Sequence, residues 1–153
     1  MPASEAVAAC ALAVCGIAMA VAVACDLRAR IIPIEACAAL AVAGGTFQAC
    51  MAGAKGLASG ALYGGVIVAG CCLANRMARR GEGYDPVGWG DIRCMGALSL
   101  ASGSFAPLGF AVCYGAAAVT ALAGLASRRL SVRDGMPMAP FLALWLVCAA
   151  LCC

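Results

Sequence analysis

The chain has 153 residues, of which 65% are hydrophobic and 11% charged, with a formal net charge of +3, no histidine and a mean hydropathy of +1.02. That composition excludes an ordinary soluble domain. At about 20 residues per spanning helix, the length predicts an all-α, polytopic membrane protein of roughly six transmembrane helices, one domain over 1–153, with no room for a second, soluble one.

The first apolar run extends from about Val7 to Cys25. Its leading flank carries Glu5 and no Lys or Arg, so the basic region of a secretory signal is missing and the run reads as a retained helix. Asp26 ends it, and a break from Arg28 to Pro33 follows. The second run, Ile34 to Met51, has Glu35 in its first turn behind Pro33, where the helix dipole favours a carboxylate. After a break at Ala52 to Gly56, the third run covers Leu57 to Ala74 and carries Gly60 and Gly64 at the small-xxx-small spacing that lets helices approach closely. Arg76 to Gly90 is a break with four glycines and one proline, expected to act as a gate between membrane and cytoplasm. The fourth run is Ile92 to Phe105, followed by a break at Ser102 to Pro107 and a fifth run at Leu108 to Ala126. Ser127 to Pro137 separates that from the last run, Met138 to Cys153. The fourth and sixth runs rise only about 21 to 24 Å, short of a ~30 Å hydrocarbon core, so they borrow flanking residues or the bilayer thins locally.

Orientation follows from the basic residues, because Lys and Arg in short loops stay on the cytoplasmic side. Arg28 and Arg30 fall in the first break, Arg76, Arg79, Arg80 and Arg93 around the third, and Arg128, Arg129 and Arg133 in the fifth. Only Lys55 falls in an even-numbered break. Nine of ten basic residues thus share one face, which predicts both termini outside and places Asp26 and Asp91 together on the cytoplasmic face. Juxtamembrane arginines beside anionic lipid account for the net charge, so the lipid bilayer is the expected partner and no nucleic acid is implied.

The twelve cysteines include no C-x-x-C pair, and no histidine accompanies them, so zinc-site spacing is absent and no metal or cofactor is expected. Most lie inside apolar runs, where Cys behaves as a small hydrophobe. The absence of histidine also removes Ser-His and Cys-His nucleophilic systems. Any proton transfer must then fall to the seven carboxylates, Glu5, Asp26, Glu35, Glu82, Asp85, Asp91 and Asp134.

Glu5 lies on the opposite face, Asp85 precedes Pro86 as a turn residue, and Glu82 and Asp134 sit in loops rich in Gly and Arg. Asp26 and Asp91 remain, each at a helix end on the same face, where either one alone also reads as a helix cap. As a pair in a partly dehydrated site they cannot both ionise easily, so one keeps a proton and together they can hold and activate a water. Gly88 and Gly90 beside Asp91 leave the backbone open to an extended peptide.

Three blocks then resemble a known family, the bacterial type IV prepilin peptidases within the intramembrane aspartyl proteases, a group that includes the archaeal preflagellin peptidases. Asp26-Leu27-Arg28-Ala29-Arg30-Ile31-Ile32-Pro33 looks like the family's first catalytic aspartate followed by its Ile-Pro. Gly88-Trp89-Gly90-Asp91-Ile92-Arg93 looks like its G-x-G-D-x-K block, and Pro137 to Leu144 is similar to its closing Pro-Phe-Gly-Pro-Phe-Leu-Ala-Leu segment. Ile34 stands where the family often has Asn, Arg93 where it has Lys, and Ala139 where Gly is common. The chain lacks the cysteine-rich insert of the long, methylating members and is similar to the short, peptidase-only form associated with tight-adherence pili or competence-type pseudopili.

The resemblance implies an endopeptidase of the bacterial cytoplasmic (inner) membrane that removes the leader of a prepilin or pseudopilin substrate. It implies catalytic Asp26 and Asp91, with Gly88, Gly90, Arg93 and Pro33 as substrate-binding residues. Two other classes stay open on sequence: a small proton-coupled transporter or channel, and a non-catalytic pilus-assembly scaffold. The oligomeric state is left open as well.

Overall fold

A computed structural model describes residues 3–81, 85–128 and 136–152. Over those residues the chain is helical, with no strand: α1 (Ala3–Ala29), α2 (Ile34–Gly81), α3 (Trp89–Ser102), a 3-10 turn (Gly103–Phe105), α4 (Ala106–Ala126) and α5 (Ala139–Cys152). Glu82, Arg129, Arg133 and Asp134 lie outside the described residues.

α1 closes where Arg30 takes a left-handed φ of 55° and its amide returns to the Asp26 carbonyl at 2.9 Å, the single bond of a left-handed helix cap. Three residues later the Pro33 carbonyl accepts the Cys37 amide at 3.3 Å, and α2 begins. Glu35 sits in its first turn as expected.

α2 turns at Gly53, whose φ of 62° and ψ of −153° lie in a region essentially reserved for glycine. Both arms pack on α3. A Cβ on Gly44 would come within 2.7 Å of Ala101 Cβ, and one on Gly60 within 2.6 Å of the Ser99 carbonyl oxygen. Residues on either side of Gly53 thus meet the same turn of α3, so the chain folds back there. The first arm runs parallel to α3, with Cys37 near Gly90, and the second antiparallel to it, with Asn75 at Val87. Gly60 and Gly64 face α3 in the close approach that their spacing predicted.

Three helical stretches are long and apolar enough to cross a membrane, 3–29, 34–81 and 89–126, and Ala139–Cys152 is a shorter apolar helix. The expected count of about six spans is therefore corrected. The predicted break at Ala52 to Gly56 shrinks to one non-helical residue, Gly53, which merges the second and third runs. The break at Ser102 to Pro107 shrinks to the 3-10 turn, which merges the fourth and fifth. The last helix has 14 residues and rises only about 21 Å.

The bundle carries its large apolar side chains outward as well as inward: Val42 is 73% exposed, Ile17 67% and Leu122 66%. Water would oppose such a surface and hydrocarbon would not, which is consistent with a membrane protein. Inside, Trp145 is fully buried, donates its indole N–H to Ser102 Oγ at 2.9 Å and meets Phe110 edge-on at 5.9 Å. Gly109 makes the room, because a Cβ there would lie 2.1 Å from the indole ring.

Candidate functional site

The C-terminal end of α1 and the N-terminal ends of α3 and α5 meet at one end of the bundle. Asp26, one turn before the end of α1, is 6% exposed. Its Oδ2 accepts the backbone N–H of Ala139 at 2.9 Å, across 113 residues of sequence. Ala139 opens α5, where amides have no partner within the helix and the dipole favours negative charge. The aspartate therefore ties α1 to α5 as an N-terminal cap, and the closing segment beginning at Pro137 is brought to it by that bond.

Asp91 lies in the first turn of α3 and is half-buried. Gly88 precedes that helix in extended conformation and offers no side-chain cap. A Cβ on Gly88 would lie 2.8 Å from Asp91 Oδ2, so the glycine leaves the carboxylate its place. Asp26 and Asp91 line a single cavity of about 260 Å³, together with Arg30, Ile31, Ile32, Gly88, Trp89, Gly90 and Arg93.

The structure thus brings together five of the six residues singled out by sequence. Pro33 is the exception: it does not line the cavity, and its carbonyl serves the start of α2 instead. Gly90 also has a packing role beside its place in the lining, since a Cβ on it would lie 3.1 Å from Ile32 Cβ. The part of the cavity wall formed by Ile32 is seated on this glycine.

The remaining described carboxylates lie elsewhere. Glu5 and Glu35 are exposed. Asp85 forms a two-pronged ion pair with the Arg79 guanidinium and accepts the Trp89 indole N–H at 3.2 Å. Its bonds to Arg79 hold its carboxyl below the usual carboxylate range. Arg79 also lies 6.0 Å from the Trp89 ring centroid, within cation–π reach.

The expected loop from Arg76 to Gly90 is shorter than predicted. α2 continues to Gly81, and residues 85–88 are pinned back onto it. Asn75 holds Val87 by both backbone groups, Nδ2 donating to the carbonyl at 2.8 Å and Oδ1 accepting the amide at 3.0 Å. Sequence reasoning missed Asn75, Arg30 and the Ala139 amide. Asn75 had one legible sign, an amide side chain inside an apolar helix; the other two depend on backbone conformation alone.

The cysteines that can be described are free thiols. Among the described residues no group of three or more Cys, Asp or Glu side chains converges as a metal site would require. No family model, curated protein or solved structure matches this chain.

Chemically, the cavity offers two carboxylates from separate helices, one anchored by a backbone donor, with arginines at its edge. Such a pair can hold a water between them, take a proton from it and return one to a leaving group.

Proposed function

We propose that the chain is a membrane-embedded aspartyl endopeptidase that removes the leader of type IV prepilin-like substrates, with Asp26 and Asp91 as its catalytic pair. One observation carries the reading: two carboxylates from distant parts of the chain converge on one cavity at the arginine-bearing end of an apolar bundle. The resemblance of the blocks around Asp26, Asp91 and Pro137 to prepilin peptidases supplies the substrate class.

In this reading the bundle sits in a bacterial cytoplasmic membrane with both termini outside. The cavity end faces the cytoplasm, since Arg28, Arg30, Arg76, Arg79, Arg80 and Arg93 gather toward it. A basic leader stays in the cytoplasm while the apolar segment that follows packs against the helices, and the bond at their junction enters the cavity. One carboxylate takes a proton from water as it attacks the carbonyl carbon; the other, protonated, polarises the carbonyl oxygen and then protonates the departing amine. Arg93 and Gly88 are the expected contacts for the substrate backbone. A transporter would place its acids nearer mid-membrane, whereas these lie at one end of the bundle.

The test is co-expression of wild type, Asp26→Asn and Asp91→Asn with a prepilin-like substrate carrying a basic leader, a glycine at the junction and an apolar helix. Leader removal is read by intact mass. Cleavage by wild type alone, with both variants inserted and folded, supports the reading; normal cleavage by both variants refutes it.

A further inference from the structure

The amide of Asn75 reproduces, from a side chain, the paired bonds that a neighbouring strand would offer. Nδ2 donates to the Val87 carbonyl at 2.8 Å and Oδ1 accepts the Val87 amide at 3.0 Å. Asn75 is only 2% exposed, and at such a site both bonds matter because water does not replace them. Only Gly88 separates Val87 from Trp89, the first residue of α3, and Asp91 follows in the first turn. α3 has no side-chain cap of its own. The point at which this helix starts is therefore set from outside, by the grip on Val87.

We propose that Asn75 is a positioning residue for the candidate site: by clamping Val87 it fixes the start of α3 and, through it, the placement of Asp91 in the cavity shared with Asp26. The proposal rests on the peptidase reading. No other common side chain does the same at this reach: Asp when ionised supplies acceptors only, Ser a single hydroxyl, and Ala nothing. Arg79, Asp85 and Trp89 brace the outer side of the same segment. They are exposed or half-buried and contribute less.

The test uses the full chain in detergent with the prepilin-like substrate described above. Two readouts are taken for Asn75→Ala and Asn75→Asp: kcat and KM per folded molecule, and amide hydrogen exchange of the segment containing Val87. Displacement of a reacting group by about 1 Å costs about 10²-fold. For Asn75→Ala the expected result is a kcat lower by about 10²-fold with KM nearly unchanged, together with faster exchange at Val87. Asn75→Asp, which keeps the size and one of the two bonds, falls between; it carries the test alone if the alanine variant is not recovered folded. A reduced yield of folded protein with unchanged kcat overturns the positioning role, as does faster exchange without loss of kcat. Unchanged exchange in both variants overturns the clamp itself. A wild type that cleaves nothing refutes the peptidase reading and the kinetic half of this proposal, and exchange at Val87 still decides whether Asn75 holds the segment.

Discussion

Asp26 caps α5, and under the proposed function it also serves as an acid/base group; separate substitutions can split the two. Its Oδ2 accepts the Ala139 amide at 2.9 Å, and Ala139 is 0% exposed. Replacing Asp26 by Ala removes the acceptor and leaves a buried amide unpaired at the start of α5, at a cost of about 1 to 3 kcal/mol, in line with about 0.5 to 2 kcal/mol for loss of an N-terminal cap. Taking about 2 kcal/mol, a chain of this size loses roughly 4 to 8 °C in Tm. Asp26→Asn keeps an oxygen in the same place and loses only the favourable charge at the α5 N-terminus, about 0.3 to 1 kcal/mol. Both variants lose the proposed acid/base group, so on the peptidase reading leader cleavage is expected to fall by at least about 10² to 10⁴. Thermal unfolding in detergent, read beside intact-mass cleavage, gives the two axes. The expected pattern is Asn inactive and nearly as stable as wild type, Ala inactive and clearly less stable. Equal destabilisation by Asn and Ala would refute the capping argument. An active Asp26→Asn would refute the chemical one.

Other expectations follow from packing and charge. Gly60→Ala puts a Cβ 2.6 Å from the Ser99 carbonyl oxygen, forcing α2 and α3 apart at a cost of about 1 to 3 kcal/mol. Gly16→Ala has nothing within 4 Å and gains up to about 1 kcal/mol of helix propensity; opposite shifts in Tm check both. Because Arg79 holds the folded-state Asp85 carboxyl low, the pair's contribution is present in full above about pH 4, the ordinary aspartate value, and is lost as pH falls through the lower folded value. Unfolding followed from pH 6 to pH 2 shows that loss in wild type, and Asp85→Asn removes this component of it. The cleavage rate should follow two coupled apparent pKa values that belong to the carboxylate pair jointly, and a profile flat from acid to alkaline pH would count against the pair.

Much of the helical content was legible because hydropathy and helix formation act locally. The run from Val7 to Cys25 became α1, and Leu108 to Ala126 became α4, each lengthened at its start by flanking residues. The breaks were less legible. Gly, Ala and Lys at 52–56 look like a loop by composition, yet one glycine in a conformation closed to other residues turns the chain and leaves helix on both sides. Likewise, residues 76–81 look polar enough for a loop, but they stay helical to Gly81, beyond the point where Asn75 and Arg79 hold the returning segment.

For the site, sequence alone singled out Asp26 and Asp91, because a chain without histidine and with so few acids leaves little else to do proton chemistry. It also marked Gly88 and Gly90 by their adjacency to Asp91, and Arg93 through the resemblance to the prepilin peptidase block. The tertiary structure decided what no residue list contains: the cavity the two aspartates share, the Ala139 amide that anchors one, and the Asn75 clamp beside the other. It also moved Pro33 out of the cavity lining and gave it the start of α2. Residue chemistry is a local property and is written in the chain, whereas a hydrogen bond across 113 residues exists only once helix packing has brought its two ends together.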